Sequence, residues 1–163
     1  MTILATLLLA AVQAGGLSWK APASWPAEAS SSAMRLATHR VPAAPGDSAP
    51  AELAIFFFGK EGGAVGANVE RWFAQFKPEP ASAEPTSRVE TINGIRVTKV
   101  SAEGTFASGM PGQPTTPKGN YALLGAIAEG PEGNVFFKLI GPRKTVRAAA
   151  KQFDAMLRTL ARQ

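Results

Sequence analysis

Val89-Glu90-Thr91-Ile92-Asn93-Gly94-Ile95-Arg96-Val97-Thr98-Lys99-Val100 is the stretch whose reading decides the fold class. Asn-Gly accepts positive φ at both central turn positions, which matches the twist of a tight hairpin. Ile95, Val97 and Lys99 alternate with Arg96, Thr98 and Val100, the period of a strand with one partly wet face. An antiparallel hairpin is therefore expected within residues 88–106. A second hairpin is expected from residues 121–128 and 134–140, around Glu129-Gly130-Pro131-Glu132-Gly133.

Working outward, residues 53–58 (Leu-Ala-Ile-Phe-Phe-Phe) form a continuous apolar run, as a central strand covered on both faces requires. Gly59 ends it. Residues 34–41 read as a strand, and residues 17–25, with Trp19 and Trp25 around Pro22, as an edge strand. Residues 28–33 read as a turn and residues 43–50 as a Pro/Gly loop. Val65, Val69, Trp72, Phe73 and Phe76 fall on one helical stripe, which Lys77-Pro78 stops. Residues 78–87 are a Pro/Ala/Glu linker. Gly141-Pro142 opens a terminal helix with an apolar stripe of Val146, Ala149, Ala150, Phe153, Leu157 and Leu160. The pattern predicts one α+β domain over residues 15–163, a largely antiparallel sheet covered by helices. It contains no internal repeat and no nucleotide-type alternation of strand and helix.

Composition narrows the chemistry. The 163 residues include no cysteine, one histidine (His39) and two aspartates (Asp47 and Asp154). A disulfide framework, a thiolate metal site and a cysteine nucleophile are excluded together, and neither a metal nor a cofactor is expected. The net charge of +5 is uneven. From Val135 onward seven basic residues face one acid, while the rest carries ten basic and eleven acidic residues. That is not the footprint of a nucleic-acid binder, and none is expected as partner.

Residues 3–12 form an apolar run shorter than the about 20 residues that span a bilayer. It matches the core of a signal peptide, and Val12-Gln13-Ala14 supplies small residues for cleavage after Ala14. No Lys or Arg precedes Lys20, so the usual basic flank is missing; the alternative is a helix packed on the domain. The expectation is a signal peptide at residues 1–14 and an exported, periplasmic or extracellular protein.

Trp19, Pro22 and Trp25, then Met34-Arg35-Leu36-Ala37-Thr38, the Phe58-Gly59 strand end, Gly62-Gly63, the segment Ala67-Asn68-Val69-Glu70-Arg71-Trp72 and the closing Phe136-Phe137-Lys138-Leu139-Ile140-Gly141-Pro142 run resemble a set of exported bacterial proteins. More distantly the pattern resembles the PsbP-like superfamily, with its DcrB-like members, over residues 17–162. The resemblance implies an α/β/α sandwich around an antiparallel sheet. It also implies a binding or accessory role without shared catalytic residues.

Candidate sites are few. Residues 58–66 have the strand, Gly-rich turn, helix layout of a phosphate cradle, but the spacing fits neither a P-loop nor a dinucleotide fingerprint. A tight turn explains these glycines. Asn68, Arg71, Trp72 and Gln75 share a helix face and make a polar recognition surface with an aromatic anchor; the alternative is that Trp72 is core. His39 has no Gly-x-Ser-x-Gly elbow to serve. Glu28, Glu52, Glu61, Glu70 and Glu90 offer the carboxylates for a hydrolase acting in a cleft, the alternative to a binding function, with no spacing that selects a pair. Arg147 and Lys151 head a basic helix face suited to weak contact with an anionic surface or to an acidic partner. Residues 107–120, rich in Gly and Pro, form a long connection in which Met110 and Lys118 offer an apolar and a charged contact. Together these predict an envelope binding or accessory domain whose partner is another envelope protein or a small ligand.

Overall fold

The computed structural model describes residues 12–29, 34–108 and 115–163. In chain order they form β1 (Val12–Ala14), β2 (Leu17–Trp19), β3 (Ala27–Glu28), β4 (Arg35–Val41) and β5 (Ala51–Phe57). Helix α1 (Val65–Phe73) follows, then β6 (Phe76–Lys77), β7 (Thr86–Ile92), β8 (Ile95–Phe106), β9 (Lys118–Gly130) and β10 (Gly133–Pro142). Helix α2 (Arg143–Arg158) and β11 (Ala161–Arg162) complete the chain.

The main sheet runs β3-β4-β5-β10-β9-β8-β6, with β7 pairing β8 on the same edge as β6. Every pair is antiparallel. At the β7–β8 turn Asn93 and Gly94 take φ of 49° and 77°, the conformation for which Asn-Gly is suited. Asn93 also acts at long range: its Nδ2 donates to the carbonyls of Arg158 and Leu160 and so ties down the end of α2. A smaller sheet, β1-β2-β11, lies beside the main one.

Alternation along β10 shows how the two faces are filled. Val135, Phe137 and Leu139 join Leu53, Ile55, Val97 and Ala126 in a core closed by Val146, Phe153, Met156 and Leu157 of α2, and by Leu17 and Trp19. Phe136 points the other way, into a second core with Val100, Leu123, Ile127 and, from α1, Val69 and Trp72. The fold is α+β, a largely antiparallel sheet with a helix on each face. The helices are unequal. At 1.5 Å per residue the nine residues of α1 span only about 13 Å. They pack over β8, β9 and β10, and among the described residues no helix covers the same face of β4 and β5.

Several local expectations are corrected. Phe76 is not helical: α1 ends at Phe73, and Phe76 and Lys77 pair with Phe106 and Thr105 as β6. Gln75 lies in the turn between them, so it is not on the helix face shared by Asn68, Arg71 and Trp72. Strand β9 begins at Lys118, inside the expected loop, and Glu28, expected to open a turn, instead pairs with β4 together with Ala27. The strand expected over residues 17–25 stops at Trp19, and Trp25 is buried on a turn in which its N–H donates to the Pro22 carbonyl. Residues 1–11 of the expected signal peptide lie outside the described residues; residues 12–14 are strand β1, in register with β2.

Candidate functional site

The open part of the α1 face is a groove of about 570 Å³. Its floor is β4, β5 and the end of β10. Arg40 pairs in register with Glu52, and Glu52 with Ile140; Ala54 lies between Thr38 and Lys138. One wall holds Phe106, Tyr121 and Lys118, and the opposite rim holds Glu28 and Arg35. The groove therefore gathers Arg35, Arg40, Lys118 and Lys138 against Glu28 and Glu52. Apolar surface lies between the charges. The Phe106 and Tyr121 rings stack at 6.1 Å, and Phe56 lies 5.8 Å beneath the Arg35 guanidinium.

Lys138 is the centre of the site. It sits mid-strand in an otherwise apolar run, flanked across the sheet by Ala54 and Gly125. Its half-buried Nζ donates to Gln75 Oε1 at 2.9 Å and stands 5.3 Å from the centroid of the Trp72 ring. Burial, with the nearby charges of Arg35 and then Arg71, pushes its pKa down to about 8. Among the described residues no carboxylate pairs with it. Glu52, the acid on the groove floor, is held by Arg35 at 2.5 Å.

Trp72 can occupy its place because residue 125 is glycine. A Cβ there would lie 2.7 Å from Cζ3 of Trp72 and 2.8 Å from Val100. Beneath it, Trp72 meets Phe136 edge-on at 6.3 Å. Asn68 is buried and structural: its Nδ2 donates to the carbonyls of Gly62 and Ala64, fixing the Gly-rich turn to α1. Arg71 Nη2 donates to Asn68 Oδ1.

The residues expected from sequence are thus distributed unevenly. Trp72, Gln75 and Arg71 surround Lys138 from the α1 side, and Lys118 lines the groove with its Nζ 5.6 Å from the Tyr121 centroid. Ser108, at the other end of the expected loop, lines it as well. Met110 lies outside the described residues. Arg147 and Lys151 are on α2, on the opposite face. Lys151 is exposed, whereas Arg147 is committed to Glu103 through two hydrogen bonds of 2.8 Å. Of the five carboxylates, Glu28 and Glu52 both line the groove, with Glu52 tied to Arg35; Glu61 and Glu70 lie elsewhere, and Glu90 contacts Arg88 and Lys99. His39 faces the α2 core, with Nδ1 3.1 Å from the Trp25 carbonyl. The sequence reading missed Lys138, Arg35, Arg40, Phe56 and Tyr121. One signal was present: a lysine interrupting Phe136-Phe137-Lys138-Leu139-Ile140, where a doubly covered strand should be wholly apolar.

This architecture is the PsbP-like fold. The solution structure of cyanobacterial PsbP (CyanoP) from Synechocystis sp. PCC 6803 matches it with a TM-score of 0.55, covering 91% of this chain and 88% of that chain. Sequence identity is 10%, so the likeness is one of fold, not of site residues. No protein-family model matches the chain, and no curated protein matches it in sequence.

Proposed function

We propose that the protein is a non-catalytic binding or accessory domain of the cell envelope, and that the groove beside α1 is its recognition site. The observation that carries this reading is Lys138. A cation placed half out of water, with an amide and an aromatic ring for company but no counter-charge among the described residues, is costly to a fold. An anionic group on the bound partner would offset that cost. Arg40 and Lys118 supply the same sign of charge around it, steering an acidic ligand or protein segment inward.

The test is retention of envelope components by the immobilised protein. Arg40→Glu combined with Lys118→Glu reverses two exposed groove charges, and Lys151→Glu serves as the control on α2. Loss of the retained species in the groove variant alone supports the reading; equal retention by all three overturns it. Export rests on the apolar run and on Val12-Gln13-Ala14. A native chain starting near Gly15 supports it, and an intact Met1 terminus in the cytoplasm overturns it.

A further inference from the structure

We infer that the groove takes an organic carboxylate, its head group on the Lys138 ammonium and its apolar body along Phe56, Ile140 and Tyr121. This deepens the proposal that the groove is the recognition site, and rests on it. Lys138 has three donors. Gln75 accepts from one and the Trp72 face takes part of the charge, so donor capacity remains toward the open side above Ala54. Arg35 is already engaged by Glu52, which leaves Lys138, with Arg40 at the mouth, to hold the anion.

The surroundings select among anions. Phosphate sites are built from turned-out backbone N–H groups at helix starts and Gly-rich turns. Here the floor is strand, and its N–H groups are spent in the pairing of β4, β5 and β10. The donors facing the groove are therefore side chains, a point charge and a guanidinium. An inorganic anion would also leave Phe56, Phe106, Tyr121 and Ile140 wet. A carboxylate carried on an apolar body matches both halves of the lining, and about 570 Å³ lies within the size range of small-molecule sites.

The experiment is a ¹H–¹⁵N NMR titration of the full chain with hexanoate and phenylacetate. Hexanamide and phenylacetamide serve as uncharged counterparts, and sulfate as the inorganic anion, at matched ionic strength. Saturating shifts are expected for the Trp72 indole N–H and the backbone amides of Ala54 and Ile140. The amides and sulfate should bind at least tenfold more weakly than the carboxylates. Lys138→Met should weaken carboxylate binding tenfold or more, Arg40→Gln several-fold, and Lys151→Met not at all. The inference is overturned if neither carboxylate gives saturating groove shifts, if the amides or sulfate bind as well, or if both groove variants bind like the parent. If carboxylates fail while the Arg40→Glu, Lys118→Glu variant still loses its envelope partner, the ligand class is wrong and the recognition site stands.

Discussion

The ammonium of Lys138 stands 5.3 Å from the centroid of the Trp72 ring, and that one relationship joins the central strand of the sheet to the short helix that half-covers it. It brings a charge into the middle of an apolar strand. The ring and Gln75 favour the ammonium; burial and the neighbouring guanidinium groups of Arg35 and Arg71 oppose it more strongly, and the amine is held down to about 8.

Replacing Lys138 by methionine should therefore stabilise the protein at neutral pH while weakening anion binding. Exchanging a poorly compensated charge for an apolar side chain of similar volume is often neutral or stabilising, and about 1 kcal/mol is expected here. The pH dependence fixes the cause. The folded-state amine titrates near 8 and the unfolded one near 10.5, so between these values the unfolded chain binds more protons and the parent gains stability as pH rises. The advantage of Lys138→Met should be largest below pH 8 and shrink toward pH 10. Urea titrations at pH 7, 8.5 and 10 measure it; an advantage independent of pH would show that the charge is not the reason.

Gly125→Ala tests the seat of Trp72. The new Cβ would come within 2.8 Å of both the Trp72 ring and Val100. Neither can withdraw freely, because Trp72 is buried against Phe136 and Val100 lies in the neighbouring strand β8. Overpacking of this kind costs about 1–3 kcal/mol. The Trp72 indole N–H resonance should move and the groove should lose affinity for its anion, since the ring is part of the Lys138 environment. A variant with parental stability and an unmoved Trp72 signal would overturn this, because it would mean that the added methyl is accommodated without displacing Trp72.

How much of this was legible in the sequence depends on the range of the interactions. The hairpin at Asn93-Gly94 was legible because its information is local, in two residues that accept positive φ. The helical stripe was over-extended to Phe76 because 3.6-residue spacing continues there by coincidence. What stops the helix is distant: the Ala107 N–H donates to the Gln75 carbonyl, and Phe106 and Thr105 pair with Phe76 and Lys77. The β2–β11 pairing of the small sheet was invisible for the same reason, since Ala161 and Arg162 pair with residues near the other end of the chain. The groove was hardest to foresee. It exists because α1 is too short to cover the sheet, and its cations come from β4, β9 and β10, which no sequence spacing connects.

Asn93 serves two purposes that substitution can separate. Glycine keeps the positive φ but removes the side-chain donor to the carbonyls of Arg158 and Leu160. Asn93→Gly should therefore cost about 1 kcal/mol, the net value of a hydrogen bond plus the exposure of a helix end. Asn93→Ala should cost more, because it adds left-handed strain to the same loss. Hydrogen exchange at the C-terminal turn of α2 should speed up in both variants. Equal stability of Asn93→Gly and the parent would show that the contact with α2 contributes nothing.

Glu103 carries the acid sensitivity of the α2 face. Its carboxylate accepts from Arg147 Nε and Nη2 at 2.8 Å and from the Ala83 N–H at 2.9 Å, and Arg143 Nε lies 3.5 Å away. The hydrogen bonds from Arg147 are the largest influence on its pKa and, with Ala83 and the charges of both arginines, hold it below its ordinary value of 4.5 despite partial burial. A carboxyl whose folded pKa is depressed stabilises above its unfolded pKa, and the contribution is lost as pH falls through the folded value. Glu103→Gln should cost about 1–2 kcal/mol at pH 7, through weakened charge-assisted hydrogen bonds to a carboxylate only 10% exposed. Arg147→Ala should cost less, because 58% of its side chain is in water and solvent screens the pair. Below pH 4.5 the gap between the parent and Glu103→Gln should close. Denaturant midpoints at pH 7, 4.5 and 3 measure this, and a gap unchanged at pH 3 would mean that the carboxylate charge is not what Glu103 contributes.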